Sequence, residues 1–248
     1  MEMALASLVL ALLSWSDELK KLAISQSDYI PWKGYFDLIR QVDIFVLFDS
    51  VQYTRRDWRN RNKIVEPNGN LIWLSIPVQT KGKYLANINE IETVDQGWRK
   101  QHFETIRNCY RQAPYYQAMI DIFEELYLLR SETSLSAINR HFIERICGLL
   151  NIKTKIEIGQ SYPEEADAND KLLIECKRFG ANSYMSGPSA AAYLDRDKFN
   201  RQGIDIEWMS YTGYPEYNQS RVPFEHQVSI VDLLFNHGQD AQNYLNKL

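Results

Sequence analysis

The stretch Leu22–Val65 reads LAISQSDYIPWKGYFDLIRQVDIFVLFDSVQYTRRDWRNRNKIV, and its order of apolar and polar blocks decides the fold. It opens on Leu22-Ala23-Ile24, an apolar run too short for anything but a buried strand. A polar loop with Asp28, Pro31, Lys33 and Gly34 follows, and Tyr35, Phe36, Leu38 and Ile39 then recur at helical spacing. Ile44-Phe45-Val46-Leu47-Phe48 is continuously apolar, the pattern of a strand covered on both faces. Strand, loop, helix and strand in this order make a βαβ crossover. In such units ligands sit beyond the carboxyl ends of the strands, where helix N-termini offer free N–H groups. The loop Ser25–Gly34 and the segment starting at Asp49 share that end, so both are expected to line one site.

The stretch closes on a basic cluster. Arg55, Arg56, Arg59, Arg61 and Lys63 lie between Thr54 and Lys63 with only Asp57 against them, in a chain whose formal charge is −4. If the segment is a strand, Arg59, Arg61 and Lys63 share one face and Asn60 and Asn62 the other. Two readings stay open: an anion site, since the guanidinium fork suits phosphate or carboxylate, and a solvated edge strand protected by charge. Trp58 and Tyr53 favour the first, because both can stack on a sugar or base.

Several motifs in order resemble the WbqC-like family of bacterial proteins. They are Gln26 … Pro31-x-x-Gly34-Tyr35-Phe36, Asp49-x-Val51-Gln52-Tyr53 and Trp58-x-Asn60-Arg61-Asn62. Trp73-Leu74-x-Ile76-Pro77, Trp98-x-Lys100-x-His102, Ala113-Pro114-Tyr115, Tyr214-Pro215 and Ser229–Gly238 continue the likeness over about nine-tenths of the chain. Where the family has Gln-Pro, this chain has Gln26-Ser27. The resemblance implies a bacterial protein tied to surface-polysaccharide gene clusters. A more distant resemblance, to pantothenate synthetase and related nucleotidyl-transferring folds, rests on the first βαβ unit running into Phe48-Asp49-x-Val51-Gln52-Tyr53. Those proteins carry His-x-Gly-His in the first loop; here Trp32-Lys33-Gly34-Tyr35 keeps the glycine without the imidazoles. The architecture carries over and the ordinary adenylate-forming mechanism does not.

The remaining elements extend the same α/β pattern. Glu66-Pro67-Asn68-Gly69-Asn70 is a turn signal, so Lys63-Ile64-Val65 and Leu71–Ile76 are expected to pair as a hairpin. Gln79–Tyr84 reads as a polar loop and Ile88–Ile91 as a further short strand. Helices follow over 98–112 and 115–129, and a third is capped by Ser134, with an apolar stripe of Leu135, Ile138, Phe142, Ile146 and Leu149. Alternation then returns: a strand at Lys155–Ile158, a helix over 169–179 closed by Gly180, and a strand at Ser183-Tyr184-Met185. The loop Ser186-Gly187-Pro188-Ser189 leads into a short helical run, and Ile204–Met209 is a last strand. Tyr211–Glu225 is an aromatic, proline-broken loop, and Ser229-x-x-Asp232 is a capping box for the final helix. The expected fold is α/β, with a Rossmann-like, mainly parallel sheet and a helical insertion in the middle third.

Residues 4–13, ALASLVLALL, follow Glu2 rather than a basic residue and precede a poor cleavage site, Trp15-Ser16-Asp17. They are too few to span a bilayer. Two readings stay open, an appended helix or the product of an upstream start codon: residues 1–20 are expected to form an N-terminal extension and 21–248 a single domain. The three cysteines, Cys109, Cys147 and Cys176, are far apart, so reduced thiols in a cytoplasmic protein are expected. A pI near 5.7 with one basic patch argues against nucleic acid as a partner, and no ligand spacing indicates a metal.

With 6 Trp and 15 Tyr, the chain has many rings suited to carbohydrate or base contacts. Two classes of function remain. One is an enzyme forming an amide or acyl bond on a sugar or nucleotide sugar; the other is a non-catalytic nucleotide- or carbohydrate-binding protein. For the enzyme, Asp28, Asp49 and His102 are the acid–base candidates. Lys33, Gly34, Arg56, Arg59, Arg61, Ser186, Gly187 and Ser189 are candidates for a phosphate-bearing cofactor, either a nucleotide or an acyl donor. Gln26, Gln52, Tyr53, Trp58, Asn60 and Asn62 are candidates for the small-molecule substrate. A lone helical histidine such as His102 is more often a structural hydrogen-bonder, and Ser186–Ser189 also reads as a simple capped turn.

Overall fold

Residue alternation in the first strand determines which layer lies on which side of the sheet. The structure is a computed structural model that describes residues 20–245, so the helix expected over residues 4–13 lies outside the described residues. Strand β1 (Lys21–Ser25) lies parallel to β2 (Ile44–Leu47), with Ala23 opposite Phe45 and Leu22 opposite Ile44. Ala23, Phe45 and Met185 point to one face, where the larger core gathers. Leu22, Ile44 and Tyr184 point to the other, with a second apolar cluster. A strand with both faces covered needs an unbroken apolar run, as β2 has.

Strands β5 (Lys155–Ile158), β6 (Ser183–Ser186) and β7 (Asp205–Trp208) complete a five-stranded, all-parallel sheet of order β5-β2-β1-β6-β7. The chain winds outward from β1 in one direction and then, from β6, in the other. A topological switch point therefore lies between the carboxyl ends of β1 and β6.

Helix α1 (Lys33–Arg40) packs Phe36, Leu38 and Ile39 into the larger core. The insertion between β2 and β5 contributes an antiparallel hairpin, β3 (Arg61–Val65) and β4 (Leu71–Ser75), and helices α2 (Gly97–Tyr110), α3 (Tyr116–Leu128) and α4 (Leu135–Leu149). Ile106, Phe123 and Phe142 from these helices are fully buried in the same core as Phe45, so the insertion completes that core rather than covering it as a lid. On the opposite face lie α5 (Ala168–Phe179), ended by Gly180 at φ +63°, and α6 (Arg196–Asn200), whose Phe199 stacks on Tyr184. Helix α7 (Ile230–His237) closes the larger core.

Three local expectations are corrected. Ile88–Glu90 is a 3-10 turn, not a strand, because Asn87 and Glu90 form a capping box there. The Ser229 hydroxyl caps α7, but the Asp232 carboxylate turns inward to Tyr110 and Tyr217 instead of returning to the cap. Arg59 precedes β3, so it does not share a strand face with Arg61 and Lys63. Among the described residues, no helix is long and apolar enough to cross a membrane.

Phe45 has no exposed surface and faces Ala23 and Met185 across the sheet. Truncation to alanine is expected to lower the unfolding free energy by about 3–5 kcal/mol in chemical denaturation. A loss under 1 kcal/mol would contradict this placement of the core.

Candidate functional site

The loop Gln26–Trp32 leaves β1 at the switch point and is largely buried, so its peptide groups need partners inside the protein. Ser27 N–H donates to Asp49 Oδ1 at 2.8 Å, and the Ser27 carbonyl accepts from Asn139. Tyr29 N–H donates to the Trp58 carbonyl at 3.0 Å. The Asn62 amide donates to the carbonyls of both Tyr29 and Ile30, and the Ser229 hydroxyl also donates to Ile30. Ile30 is held at φ +38°, a strained conformation for a β-branched residue.

Asp28 projects from this loop and forms an ion pair with Arg59, which also approaches Asp57 at 3.7 Å. Burial raises the Asp28 carboxyl from 3.8 to about 6; the Arg59 charge offsets part of that rise, and Asp57 and Asp49 add to it. Asp28 lines a hollow of about 190 Å³ together with Pro31, Trp32, Trp58, Asn62 and Gln227. A carboxyl that titrates near neutrality beside two indole rings can accept or deliver a proton on a small bound molecule.

A second hollow, of about 420 Å³, adjoins the first through Trp32 and Gln227 and is lined also by Tyr211, Thr212, Gly213, Tyr214 and His226. Gly34 makes its geometry possible. A Cβ there would come 2.3 Å from the Trp32 ring, so only glycine lets the indole lie against the first turn of α1. Tyr211 packs on Trp32 with ring centres 5.3 Å apart, and Tyr214 donates to Asp37 of α1 at 2.8 Å. Lys33 is buried and lines neither hollow. Its Nζ donates to the Pro215 carbonyl at 3.0 Å among the rings of Tyr214, Tyr217 and Phe224. Burial lowers its ammonium to about 8, against the pull of Glu216 and Asp232.

The other expected residues are dispersed. Asp49 is buried, accepting from Ser27 N–H and the Ser136 hydroxyl, and so clasps the loop to α4. His102 is 4% exposed in the core, its Nδ1 bonded to Tyr29 at 2.9 Å, and burial lowers its imidazole to about 4. Tyr53 donates to Asn60, whose amide donates to Ile76, and Gln52 reaches the Tyr84 carbonyl. Gln26 is half-buried, with its carbonyl accepting from Tyr35.

Arg56 and Arg61 line a separate open depression with Arg55, and the Arg61 guanidinium lies 4.4 Å over Trp73. The basic cluster is thus divided, with Arg59 inside on Asp28 and the other arginines outside. Ser186 is buried and accepts from Tyr184, Gly187 lies against Tyr211, and Ser189 is exposed. Tyr211, Tyr214, His226 and Gln227 were assigned no role from sequence. Their signal was aromatic spacing in an irregular stretch, Tyr211-x-x-Tyr214-x-x-Tyr217 followed by Phe224-x-His226.

The model of the WbqC-like protein family matches residues 26–244, from the loop that carries Asp28 to the end of the larger core. The chain belongs to the WbqC-like protein family. Rv1507c of Mycobacterium tuberculosis, itself uncharacterized, is 41% identical over 227 residues, which cover 92% of this chain and 98% of that protein. No solved structure matches. The WbqC-like sequence pattern thus spans every strand of the described sheet except β1, which ends just before it.

The raised carboxyl of Asp28 has a signature in stability. Below its unfolded value of 3.8 the group is protonated in both states; above about 6 it is ionised in both, and the native state bears the burial penalty. Native stability from this group is therefore lost as pH rises from 4 to above 6, by up to about 3 kcal/mol. The unfolding free energy of Asp28→Asn relative to the unsubstituted protein is expected to increase over that window. A difference that falls with rising pH would mean a depressed carboxyl and an ion pair that outweighs burial.

Proposed function

We propose that this WbqC-like chain is an enzyme of surface-polysaccharide or nucleotide-sugar biosynthesis that forms an amide or acyl bond on a sugar. The observation that carries the reading is the Asp28 carboxyl, raised to about 6 in a hollow walled by Trp32 and Trp58 at the strand-end crevice. The sugar packs its C–H faces on the indoles, and Gln227 and Asp28 meet its polar groups. Its amino or hydroxyl group attacks the carbonyl carbon of an activated acyl donor, such as a thioester or acyl phosphate. The new C–N or C–O bond forms, the bond to the leaving group breaks with its electron pair, and the proton passes to the Asp28 carboxylate. At neutral pH a group titrating near 6 is mostly ionised yet holds a proton well enough to take it. Arg59 orients the carboxylate and keeps it ionised. The family resemblance supports the polysaccharide setting, and the two adjoining hollows support a two-part substrate.

The test is to incubate the protein with acyl thioesters or acyl phosphates and a panel of free and nucleotide-linked amino sugars, and to search for acylated product by mass spectrometry. Asp28→Asn is expected to lower turnover by about 10²- to 10⁴-fold while ligand-induced thermal stabilisation persists. Turnover by Asp28→Asn equal to that of the unsubstituted protein would rule out this role.

A further inference from the structure

The two hollows differ in chemistry. The first sets the Asp28 carboxylate and the Gln227 amide against two indoles and Pro31, which suits the C–H faces and edge hydroxyls of a sugar. The second presents three aromatic rings, Trp32, Tyr211 and Tyr214, with Tyr211 packed at 54° and Tyr214 at 76° to the indole plane. Its volume of about 420 Å³ lies in the range of small-molecule sites, which are mostly apolar with a few placed polar groups. The Thr212 hydroxyl is already engaged with Ser210 at 3.0 Å. The polar groups left over on its lining are the His226 imidazole, the Gln227 amide and the Tyr211 hydroxyl. An aromatic wall with a few free polar groups suits a flat heteroaromatic, which stacks through its face and offers hydrogen-bonding groups at its edge. It suits a sugar poorly, because most of the sugar's hydroxyls would lose water without replacement.

We infer that the second hollow is a nucleoside subsite, where a base packs on Trp32 and Tyr211 and its edge bonds to the polar groups of His226 and Gln227. The shared wall at Trp32 and Gln227 then lets the sugar of a nucleotide sugar lie against Asp28. Lys33, whose Nζ is 5.2 Å from the Tyr214 ring, brings positive charge behind the same wall. Burial and that charge both lower the His226 imidazole, against the pull of Glu216 and Glu225. Placing the sugar at Asp28 rests on the proposed acyl-transfer reading; placing the base does not, and the two are tested apart.

The experiment is isothermal titration of the full chain with UMP, dTMP, AMP and GMP, with ribose 5-phosphate and inorganic diphosphate as base-free controls. At least one nucleotide is expected to bind 10-fold or more tightly than ribose 5-phosphate. Tyr211→Ala is expected to weaken that binding at least 10-fold and Tyr211→Phe less than 3-fold. His226→Ala is expected to weaken it about 5-fold, with partial recovery in His226→Asn, which keeps a hydrogen-bonding side chain there. Should Tyr211→Ala fail to fold, photolabelling of the unsubstituted protein with 5-iodouridine or 8-azidoadenosine monophosphate answers the same question, the label falling on Trp32 or within 211–227. Absence of nucleotide binding, equal binding by Tyr211→Ala and His226→Ala, or a label elsewhere overturns the inference. Acylation of a free amino sugar without nucleotide binding would sink the subsite and spare the reaction. Nucleotide binding with no acyl transfer would do the reverse.

Discussion

A buried loop must find a partner for almost every peptide group it carries, and in this protein that requirement falls on residues 26–31. The Gln26 carbonyl takes a bond from Tyr35 in α1, and Ser27 is held by Asp49 beyond β2 and by Asn139 in α4. Tyr29 and Ile30 are bonded by Trp58 and by Asn62 in β3, and the Pro31 carbonyl accepts from Ile230 of α7 at 2.8 Å. First helix, insertion, hairpin and last helix thus converge on one segment. Each bond is worth only about 1 kcal/mol net, whereas each left unmade in the interior costs about 1–3 kcal/mol. The loop is therefore stable only when all these elements are docked, and it can hold Ile30 in a strained backbone because so many partners determine its position.

That convergence gives Asp28 its properties. The carboxyl leaves a rigid loop, so it is buried beside Arg59 without moving to water, and Trp58 is fixed as its wall by the bond from Tyr29. The strap from Tyr211 to Gln227 is fixed independently, by Tyr214 on Asp37 and by Lys33 on Pro215. Trp32 lies between the two systems, seated on Gly34, and is the surface they share.

The architecture was legible because its signals are local. An unbroken apolar run in β2, a glycine stop at Gly180 and a serine cap at Ser134 each report on their own neighbourhood. The capping box Asn87-x-x-Glu90 was equally visible, and giving it priority over the apolar Ile88 and Ile91 would have yielded the turn. The site was legible only in part. Asp28, Trp58 and Asn62 do line one hollow, but the amide of Asn62 is taken up by the loop carbonyls. His102 finds its partner Tyr29 far away in sequence, and no spacing rule reports such a pair. The arginines looked like one cluster because charge was counted along the chain. A left-handed Arg56 at φ +62° and a strand that starts only at Arg61 turn Arg59 inward and its neighbours out.

The account depends on Asp28 being a buried carboxyl only partly compensated by Arg59, and carbon-detected magnetic resonance reads that directly. The side-chain carboxyl of Asp28 is expected to titrate with a midpoint near 6 in the unsubstituted protein. In Arg59→Gln the midpoint should move higher, since the guanidinium now lowers it. A midpoint at or below 4 in the unsubstituted protein would show a solvated or fully compensated carboxylate, and the proton-accepting role assigned to Asp28 would fall with it.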